Sequence, residues 1–336
     1  MMNRQIHLVS RPDDTGISLD NFALVETDLT EPTAGQVVLK TLYFSLDPYM
    51  RARMYDGPNY AKSAALNQPM AGGTVAEVID TRHPDYNVGD IVESDHGWQQ
   101  YFICDPRGLR KIDPSSAPVS TALGVLGMPG QTGYGGMLRH GRPQPGETVV
   151  VSAASGAVGT VATQVARLNG CRVVGIAGGP KKCRFLTDVL GLDAAVDHKA
   201  DNLSEAIAAV CPNGVDVYFD SVGGEVFAAV LPHLNTGARV PVCGTISVDR
   251  DQPPKQGSDR MQALLSTILI KQLTLRGFIF TELLDMSEAF QRDVSGWIRS
   301  DDLKYREDIV EGIENAPEAF LGLFKGANFG KLLVRP

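Results

Sequence analysis

The sequence predicts an α/β protein in which a doubly wound parallel sheet follows a compact, barrel-like all-β unit. Apolar runs 22 to 24 residues apart begin near Thr148, Arg172, Ala194, Asp216 and Ala238. Helix-like segments fill the gaps between them, at residues 158–168, 181–190, 203–210 and 226–234. A β-run, a helix and another β-run at this spacing is typical of parallel βαβ units. A further run at residues 273–275 is a candidate sixth strand.

The part of the chain before about residue 119 has a different rhythm. Short β-type runs occur at residues 37–39, 73–79 and 90–92, with Pro- and Gly-containing turns such as residues 84–90 between them. No helix-length apolar periodicity interrupts this part, which therefore predicts the all-β unit. The last stretch, from about residue 297, ends in a strand-like run at residues 330–334. The pattern does not fix where that strand pairs.

Size and charge narrow the class of protein. A chain of 336 residues suggests two domains, since domains usually hold about 100–200 residues. The formal net charge of −8 disfavours nucleic acid as a main partner, because phosphate binding needs a cationic surface. The five cysteines form no C-x-x-C pair, and residues 1–12 contain no apolar core of a secretory signal. No apolar run approaches the ~18 residues that cross a bilayer. We therefore expect a reduced, cytoplasmic protein with no membrane partner.

A dinucleotide-binding turn follows the first strand of the parallel sheet. The apolar run at residues 149–152 leads directly into residues 153–159, AASGAVG, which is the glycine fingerprint with Ala154 in place of the first glycine. Gly156 would let the backbone approach a pyrophosphate, and Gly159 would let helix and strand pack closely. The amides of Ala157 and Val158 begin the next helix and would face the phosphate charge. Strand, turn and helix come in the required order.

The end of the second strand favours NADPH over NADH. An NAD site places an acid about 20 residues beyond the glycines, to bond the ribose 2′-hydroxyl. No acid occurs from Cys171 to Thr187, whereas Gly178 and Gly179 are expected to expose amides at a turn, and Lys181 and Lys182 open the next helix. Lysine in a first helical turn opposes the helix dipole, so a bound 2′-phosphate would offset that cost.

Seven segments together resemble the zinc-independent medium-chain dehydrogenase/reductases, in the branch of prostaglandin, alkenal double-bond and curcumin reductases. The segments span nearly the whole chain and are SLDPYMR at 45–51, GMPGQTGY at 127–134, AASGAVG at 153–159, GGPKKCRF at 178–185, DVYFDSVGG at 216–224, PVCGTIS at 241–247 and KGANFGK at 325–331. The resemblance implies a GroES-like domain formed by residues 1–120 and 297–336. Residues 121–296 would form an inserted Rossmann domain that binds NADPH. It also implies a cleft between the domains and a homodimer.

The resemblance also assigns positions of the cofactor site. It places Gly178, Gly179 and Lys182 at the 2′-phosphate and His198 near the same ribose, where relatives often have tyrosine. Ser221 stands where relatives usually have asparagine. The remaining length of the cofactor would be lined by Cys243, Gly244, Thr245, Ile246, Ser247, Phe278, Ile279, Phe280 and Asn328.

The implied activity is NADPH-dependent reduction of the carbon–carbon double bond of enones or enals, with hydride added at the β-carbon. The developing enolate oxygen needs a hydrogen-bond donor, and a tyrosine hydroxyl suits that role. Relatives usually carry this tyrosine where the chain has Asp249, followed by Arg250 in place of asparagine, so that role cannot be carried over. Tyr49 and Tyr60 are the remaining candidates, which the resemblance places on the substrate side, and solvent could also deliver the proton.

Three other functions stay open at this point. A zinc alcohol dehydrogenase needs Cys and His ligands, whereas the corresponding early segment offers only Asp47, and His83, His96 and Cys104 lack ligand spacing. We expect no metal. A non-catalytic NADPH-binding scaffold is compatible with the loss of the tyrosine at position 249. A quinone reductase on the same fold is the third alternative.

Overall fold

The computed structural model describes residues 1–57, 61–199, 201–247 and 260–336, with only the backbone of Arg260. It divides into two compact units, Met1–Gly124 together with Glu307–Pro336, and Val125–Arg306. The strands are β1 Met2–Leu8, β2 Phe22–Asp28, β3 Val37–Ser45, β4 Gln68–Pro69, β5 Thr74–Thr81, β6 Ile91–Ser94, β7 Tyr101–Cys104, β8 Arg110–Ile112, β9 Thr148–Val151, β10 Arg172–Ala177, β11 Ala194–Asp197, β12 Val215–Phe219, β13 Leu234–Val242, β14 Thr274–Gly277, β15 Glu307–Glu311 and β16 Lys331–Arg335.

Helices connect these strands. The α-helices are α1 Tyr49–Arg53, α2 Met128–Gly135, α3 Ala157–Leu168, α4 Pro180–Arg184, α5 Leu203–Val210, α6 Gly224–Val230, α7 Arg260–Lys271, α8 Ser287–Arg299 and α9 Ala316–Leu323. Short 3₁₀ helices lie at Leu19–Asn21, Val119–Leu123, Leu231–His233, Phe280–Met286 and Ile313–Asn315, and π-helical turns at Gly136–Gly141 and Phe185–Val189. Within the described ranges, no helix has both the length and the apolar character that a bilayer crossing requires.

The first unit is built mainly on antiparallel strands, with one parallel pair, β15 and β16. Its larger sheet has the order β15-β16-β3-β5-β6-β8, with β7 also paired to β3, and a second sheet has the order β2-β1-β4. The strand-like run near the end of the chain is β16, which lies between β15 and β3. The core contains the fully buried Trp98, whose ring lies 5.7 Å from that of Phe22, 5.8 Å from Phe44 and 5.4 Å from Phe320. Phe320 belongs to α9, so residues from both ends of the chain form one core.

The second unit confirms the predicted doubly wound sheet. All its strand pairs are parallel, in the order β11-β10-β9-β12-β13-β14. This is the Rossmann order, and it reverses between β9 and β12. The four residues of β9 are all buried, as expected of a strand covered on both faces. A ligand of this fold lies outside the carboxyl ends of β9 and β12, at the reversal.

One predicted helix ends earlier than expected. Residues 181–190 are helical as predicted, in α4 and the π-helical turn Phe185–Val189 that continues it. Residues 226–234 form α6, which ends at Val230, and Leu234 already belongs to β13. Pro232 accounts for this early end, because a proline donates no backbone hydrogen bond and interrupts a helix.

Candidate cofactor site

The turn after β9 has the geometry that the fingerprint predicts. A Cβ atom added to Gly159 would lie 2.4 Å from the carbonyl oxygen of Ala153, so only glycine lets α3 approach the turn this closely. A Cβ atom on Gly156 would meet only that same oxygen, at 3.2 Å, which leaves the outer side of the turn open. Helix α3 begins directly after Gly156, and its first amides have no partner within the helix. The turn therefore offers N–H groups to an anion.

The loop after β10 is held by an acid that the sequence did not reveal. Gly179 has a φ of 87°, which suits glycine, and it precedes α4. Its amide donates to Oδ1 of Asp197 at 2.9 Å, so the expectation that Gly179 exposes its amide is wrong. Lys199 donates its amide to the same oxygen at 3.0 Å. These two hydrogen bonds lower the pKa of Asp197. Asp197 ends the neighbouring parallel strand β11, and this adjacency was the signal that could have identified it.

His198 and Lys182 lie on the same loop system. A Cβ atom on Gly178 would approach Nε2 of His198 to 2.8 Å, so the exposed imidazole lies against this glycine. Lys182 is half-buried in α4. The structure therefore brings Gly178, Gly179, Lys182 and His198 to one edge of the sheet, at the carboxyl ends of β10 and β11.

The loops after β12 and β13 pair with each other through their backbones. Cys243 and Gly244 donate to the carbonyl oxygen of Asp220, at 2.7 and 3.3 Å. Further along, Ile246 donates to Ser221 O at 3.4 Å, and Ser247 donates to Val222 O at 3.1 Å. The sequence-predicted residues 243–247 are thus attached to residues 220–222. They lie on the β12 side of the strand reversal, opposite the fingerprint turn.

Ser221 and Cys243 are neighbours in this pair of loops. The hydroxyl of Ser221 is buried and has no oxygen or nitrogen partner among the described residues. Burial raises the pKa of Cys243 to about 12, while the adjacent Ser221 hydroxyl acts in the opposite direction. The thiol is therefore protonated at neutral pH and is not a nucleophile.

Four further predicted residues lie in different surroundings. Phe278 is buried, with its ring 6.0 Å from that of Phe219, so its side chain belongs to the core. Ile279 is exposed and donates its amide to Glu282 at 3.1 Å, and Phe280 begins the 3₁₀ helix Phe280–Met286. Asn328 belongs to the first unit, where its side-chain amide donates to Gly330 O at 2.9 Å.

Tyr49 is the tyrosine candidate that the structure describes. It begins α1 and lies half-buried against the core of the first unit. Burial, with smaller contributions from Asp47 and Asp95, raises the pKa of its hydroxyl well above the ordinary value. The hydroxyl therefore keeps its proton at neutral pH and is able to donate. Tyr60, Asp249 and Arg250 lie outside the described residues.

Asp47 is the only acid in the early segment where zinc alcohol dehydrogenases have their metal ligands. In this structure it is paired with a lysine. Nζ of Lys331 lies 2.6 Å from Oδ1 of Asp47, and the pair is buried. The hydroxyl of Ser45 donates to the other carboxylate oxygen of Asp47. Across the described ranges, no three His, Cys, Asp or Glu side chains converge in the manner of a metal site. The donor set around Asp47 is thus a cation and a hydroxyl, which does not fit a zinc ion.

Two family profiles match the chain, one in each unit. The profile described as the N-terminal domain of oxidoreductase matches residues 4–112. The profile described as zinc-binding dehydrogenase matches residues 157–296.

Individual relatives match over almost the full length. The chain is 48% identical over 336 residues to NADPH-dependent curcumin reductase of Escherichia coli, covering 99% of this chain and 96% of that protein. It is 39% identical over 321 residues to prostaglandin reductase 1 of Rattus norvegicus, covering 94% of each. The crystal structure of CurA from Vibrio vulnificus in complex with NADPH has a TM-score of 0.94 and 46% identity, covering 99% of this chain and 98% of that one.

Proposed function

This chain belongs to the medium-chain dehydrogenase/reductases, in the branch that contains curcumin reductase and prostaglandin reductase 1, and we propose that it uses NADPH to reduce the carbon–carbon double bond of α,β-unsaturated ketones or aldehydes. The observation that carries this proposal is the 48% identity to a curcumin reductase along 99% of the chain. The open fingerprint turn and the lysine-bearing loop after β10 support it independently, because they offer amides and cations to a phosphate-bearing cofactor.

The residues of the second unit would bind and orient the cofactor. NADPH, when bound, supplies the hydride. The amides of Ala157 and Val158 would bind the pyrophosphate, and Lys182 the 2′-phosphate. Gly156 would only let the backbone come close, because its own amide donates to the carbonyl oxygen of Ala153 at 2.9 Å. The loops after β12 and β13 would hold the other half of the dinucleotide, since each half of a Rossmann sheet binds one mononucleotide. These loops are fixed to each other by backbone hydrogen bonds and so provide a preformed surface.

A protonated tyrosine would stabilise the enolate oxygen of the substrate. Tyr49 fits this role because a tyrosine hydroxyl carries a proton at neutral pH, and burial, which raises its pKa, does not change this. Tyr60 remains the second candidate on the basis of its sequence position. The chain offers no tyrosine at position 249, so one of these two hydroxyls, the ribose hydroxyl or water must serve.

We propose that the reaction requires no zinc, although the profile for residues 157–296 is described as zinc-binding. The support is chemical. Asp47 accepts from the Lys331 ammonium and the Ser45 hydroxyl, and a cation already occupies the space beside its carboxylate. A zinc ion at this position would have to displace an ammonium.

We propose a homodimer in which two copies meet at the β14 edge of the sheet. Helix α7 presents an exposed apolar stripe four residues apart, with Met261 at 63%, Leu265 at 58% and Leu269 at 79% exposure. β14 ends the sheet order, so its outer edge has no strand partner among the described residues. A second copy related by a two-fold axis would cover both features at once. Leu265→Glu with Leu269→Glu should yield monomers in analytical ultracentrifugation. A monomeric unmodified protein at micromolar concentration would refute this assignment.

We also propose that the protein works in the cytoplasm. Cys104, Cys171 and Cys211 are buried free thiols, and Cys183 and Cys243 are also unpaired. Five unpaired cysteines are typical of a reducing compartment. Fractionation of the native cell should recover the protein with the cytoplasmic proteins.

The activity is tested by following NADPH oxidation with a panel of enones, enals, quinones and saturated ketones. We expect turnover with enones or enals, and a product in which NMR shows a saturated carbon–carbon bond and an intact carbonyl group. An alcohol product would indicate an alcohol dehydrogenase, and turnover confined to quinones would indicate a quinone reductase. NADPH binding without turnover on any compound would indicate a scaffold. Each of these three outcomes rejects the proposed reaction.

A further inference from the structure

Asp220 is a buried carboxylate that follows β12 directly, and five hydrogen bonds converge on it. It is 1% exposed. Its Oδ1 accepts from the Ser152 and Tyr218 hydroxyls, each at 2.8 Å, and from the amide of Val222 at 2.9 Å. The amide of Gly223 lies 3.1 Å from both Oδ1 and Oδ2. Each of these partners is a neutral donor.

This set of contacts suits a carboxylate better than an amide. An ionised aspartate accepts through about four lone-pair sites and has no hydrogen to donate. An asparagine at this position would accept through one oxygen only, and its NH₂ group would face the Gly223 amide, which is also a donor. An isosteric change would therefore keep an acceptor at the Oδ1 position, remove the charge and place a donor against the Gly223 amide, without creating a cavity.

The carboxylate fixes the position of the loop after β12. Directly, it holds the amides of Val222 and Gly223, where Gly223 has a φ of 70°. Indirectly, it also holds Ser221 through Ser152. The Ser152 hydroxyl donates to the carboxylate, and its Oγ accepts from the amide of Ser221 at 2.8 Å. The backbone oxygen of Asp220 holds Cys243, as described above. The side chain of Asp220 thus holds residues 221–223, and the loop after β13 is attached to these residues and to the Asp220 backbone.

These loops lie at the strand reversal. Ser152 ends the path of β9 and Asp220 ends that of β12, and the hydrogen bond between them joins the two strand ends across the reversal. A dinucleotide crosses this point, with one mononucleotide on each side. The Asp220 loops lie on the side of β12 and β13, opposite the loop of Gly178 and Lys182. They therefore face the nicotinamide half of the cofactor and not the adenosine half.

We propose that Asp220 is a positioning residue for the nicotinamide half of the NADPH site: it contacts no cofactor atom itself but sets the placement of Ser221 and Cys243, which line that half. This inference rests on the proposed use of NADPH. It goes beyond that function by assigning Asp220 to the nicotinamide half of the site and not to the adenosine half. Loss of the carboxylate should disturb nicotinamide placement and leave the adenosine end unchanged.

The test compares two ligands with two matched variants. 2′,5′-ADP reports the adenosine half alone, whereas NADPH reports both halves. We expect Asp220→Asn to weaken NADPH binding about tenfold or more and to lower kcat, while the affinity for 2′,5′-ADP changes less than about twofold. The control is Asp216→Asn, which lies at the other end of β12 and accepts from Thr148 N at 2.8 Å and Asn235 Nδ2 at 2.7 Å. It should change neither ligand affinity.

The outcomes distinguish failure of the positioning role of Asp220 from failure of the proposed NADPH function. Equal weakening of both ligands by Asp220→Asn, or no weakening of either, would overturn the positioning role. If Asp220→Asn fails to fold, Ser152→Ala serves instead, because it removes the hydroxyl between Asp220 and the Ser221 amide. It should weaken NADPH about threefold to tenfold and spare 2′,5′-ADP, and equal effects would again overturn the role. Failure of the unmodified protein to bind either ligand would reject the NADPH function itself.

Discussion

The two units each bury an aspartate just beyond a strand end, and the two carboxylates are stabilised in different ways. In the first unit, Asp47 follows β3 and pairs with the ammonium of Lys331 at 2.6 Å. In the second unit, Asp220 follows β12, and its partners among the described residues are neutral hydroxyls and amides. An ammonium supplies one strong electrostatic interaction. Several neutral donors instead supply several directional hydrogen bonds, which fix the orientation of the groups around the carboxylate. The first arrangement therefore joins distant parts of the chain, and the second shapes loops.

The separation of partners along the chain reflects this difference. Lys331 lies 284 residues from Asp47, in the strand β16 that the end of the chain contributes to the first sheet. Three of the donors to Asp220 lie within three residues of it, and the fourth, Ser152, comes from the adjacent strand. We expect changes around Asp47 to alter global stability first, and changes around Asp220 to alter ligand binding first.

The largest expected effect is that of Lys331→Met. The change leaves the Asp47 carboxylate buried without a cation, and removal of one partner of a buried pair costs about 3–5 kcal/mol of unfolding free energy. Urea denaturation measures this loss. The control is Lys325→Met, an exposed lysine on the same final segment, which should change the free energy of unfolding by less than about 0.5 kcal/mol.

A double variant sharpens the same point. Lys331→Met combined with Asp47→Leu replaces both charges by apolar groups, so most of the lost stability should return. A double variant no more stable than Lys331→Met alone would show that the pair is not the source of the loss.

The second prediction concerns Tyr49, which lies two residues beyond Asp47. If its hydroxyl donates to the enolate, Tyr49→Phe should lower kcat by roughly ten- to a thousandfold, as for loss of one such donor, with NADPH affinity unchanged. Tyr86→Phe is the matched control in the same unit, because that hydroxyl donates to the backbone oxygen of Pro106 at 3.3 Å. Single-turnover kinetics with saturating NADPH separates the chemical step from binding.

Tyr60→Phe completes this comparison. A full rate for Tyr49→Phe with a large loss for Tyr60→Phe would assign the role to Tyr60. Normal rates for both phenylalanine variants would exclude both hydroxyls as the essential donor and leave the ribose hydroxyl or water.

The third prediction concerns Lys182, which is half-buried, in contrast to the buried Lys331. Its contact with a 2′-phosphate would be partly exposed to water, so its loss should cost less free energy than the loss of the buried Lys331 pair. We expect NADPH to be preferred over NADH by at least about tenfold in kcat/KM, equivalent to ~1.4 kcal/mol. Lys182→Ala should narrow that preference, mainly by raising the KM for NADPH, whereas Arg184→Ala, an exposed change on the same helix, should not. Equal use of NADPH and NADH by the unmodified enzyme would contradict the assignment.

The parallel sheet and the cofactor were predictable because their signals are local. The strands of the second unit recur at a regular spacing, and the fingerprint occupies seven consecutive residues at 153–159. Helix α2 was not predicted, because Gly130, Gly133 and Gly135 give it poor helix propensity. Packing explains it: a Cβ atom on Gly133 would lie 2.5 Å from Val158 O, so glycine is required where α2 meets α3.

The interactions around the two aspartates show where sequence reasoning ends. The pairing of Asp47 with Lys331 depends on the register of β16 against β3, which no local pattern records. Asp197 was missed because its importance follows from the neighbouring ends of β10 and β11, not from its distance to the glycines. The roles of the individual site residues, including those of Tyr49 and Lys182, stay predictions until the variants are measured.

The smallest expected effect is that of metal removal, and it tests the assignment of Asp47 directly. If its carboxylate is committed to Lys331, prolonged chelation followed by desalting should leave both kcat and the urea midpoint unchanged. Elemental analysis should then find well under one zinc ion per chain. A zinc enzyme would behave differently, because its metal acts as a Lewis acid on the substrate oxygen and its removal abolishes turnover. Stoichiometric zinc whose loss stops the reaction would therefore contradict the metal-free reaction and call for a metal site that the pairing of Asp47 with Lys331 does not provide. In that case, the contrast between Asp47, paired with a cation, and Asp220, held by neutral hydrogen-bond donors, would not hold.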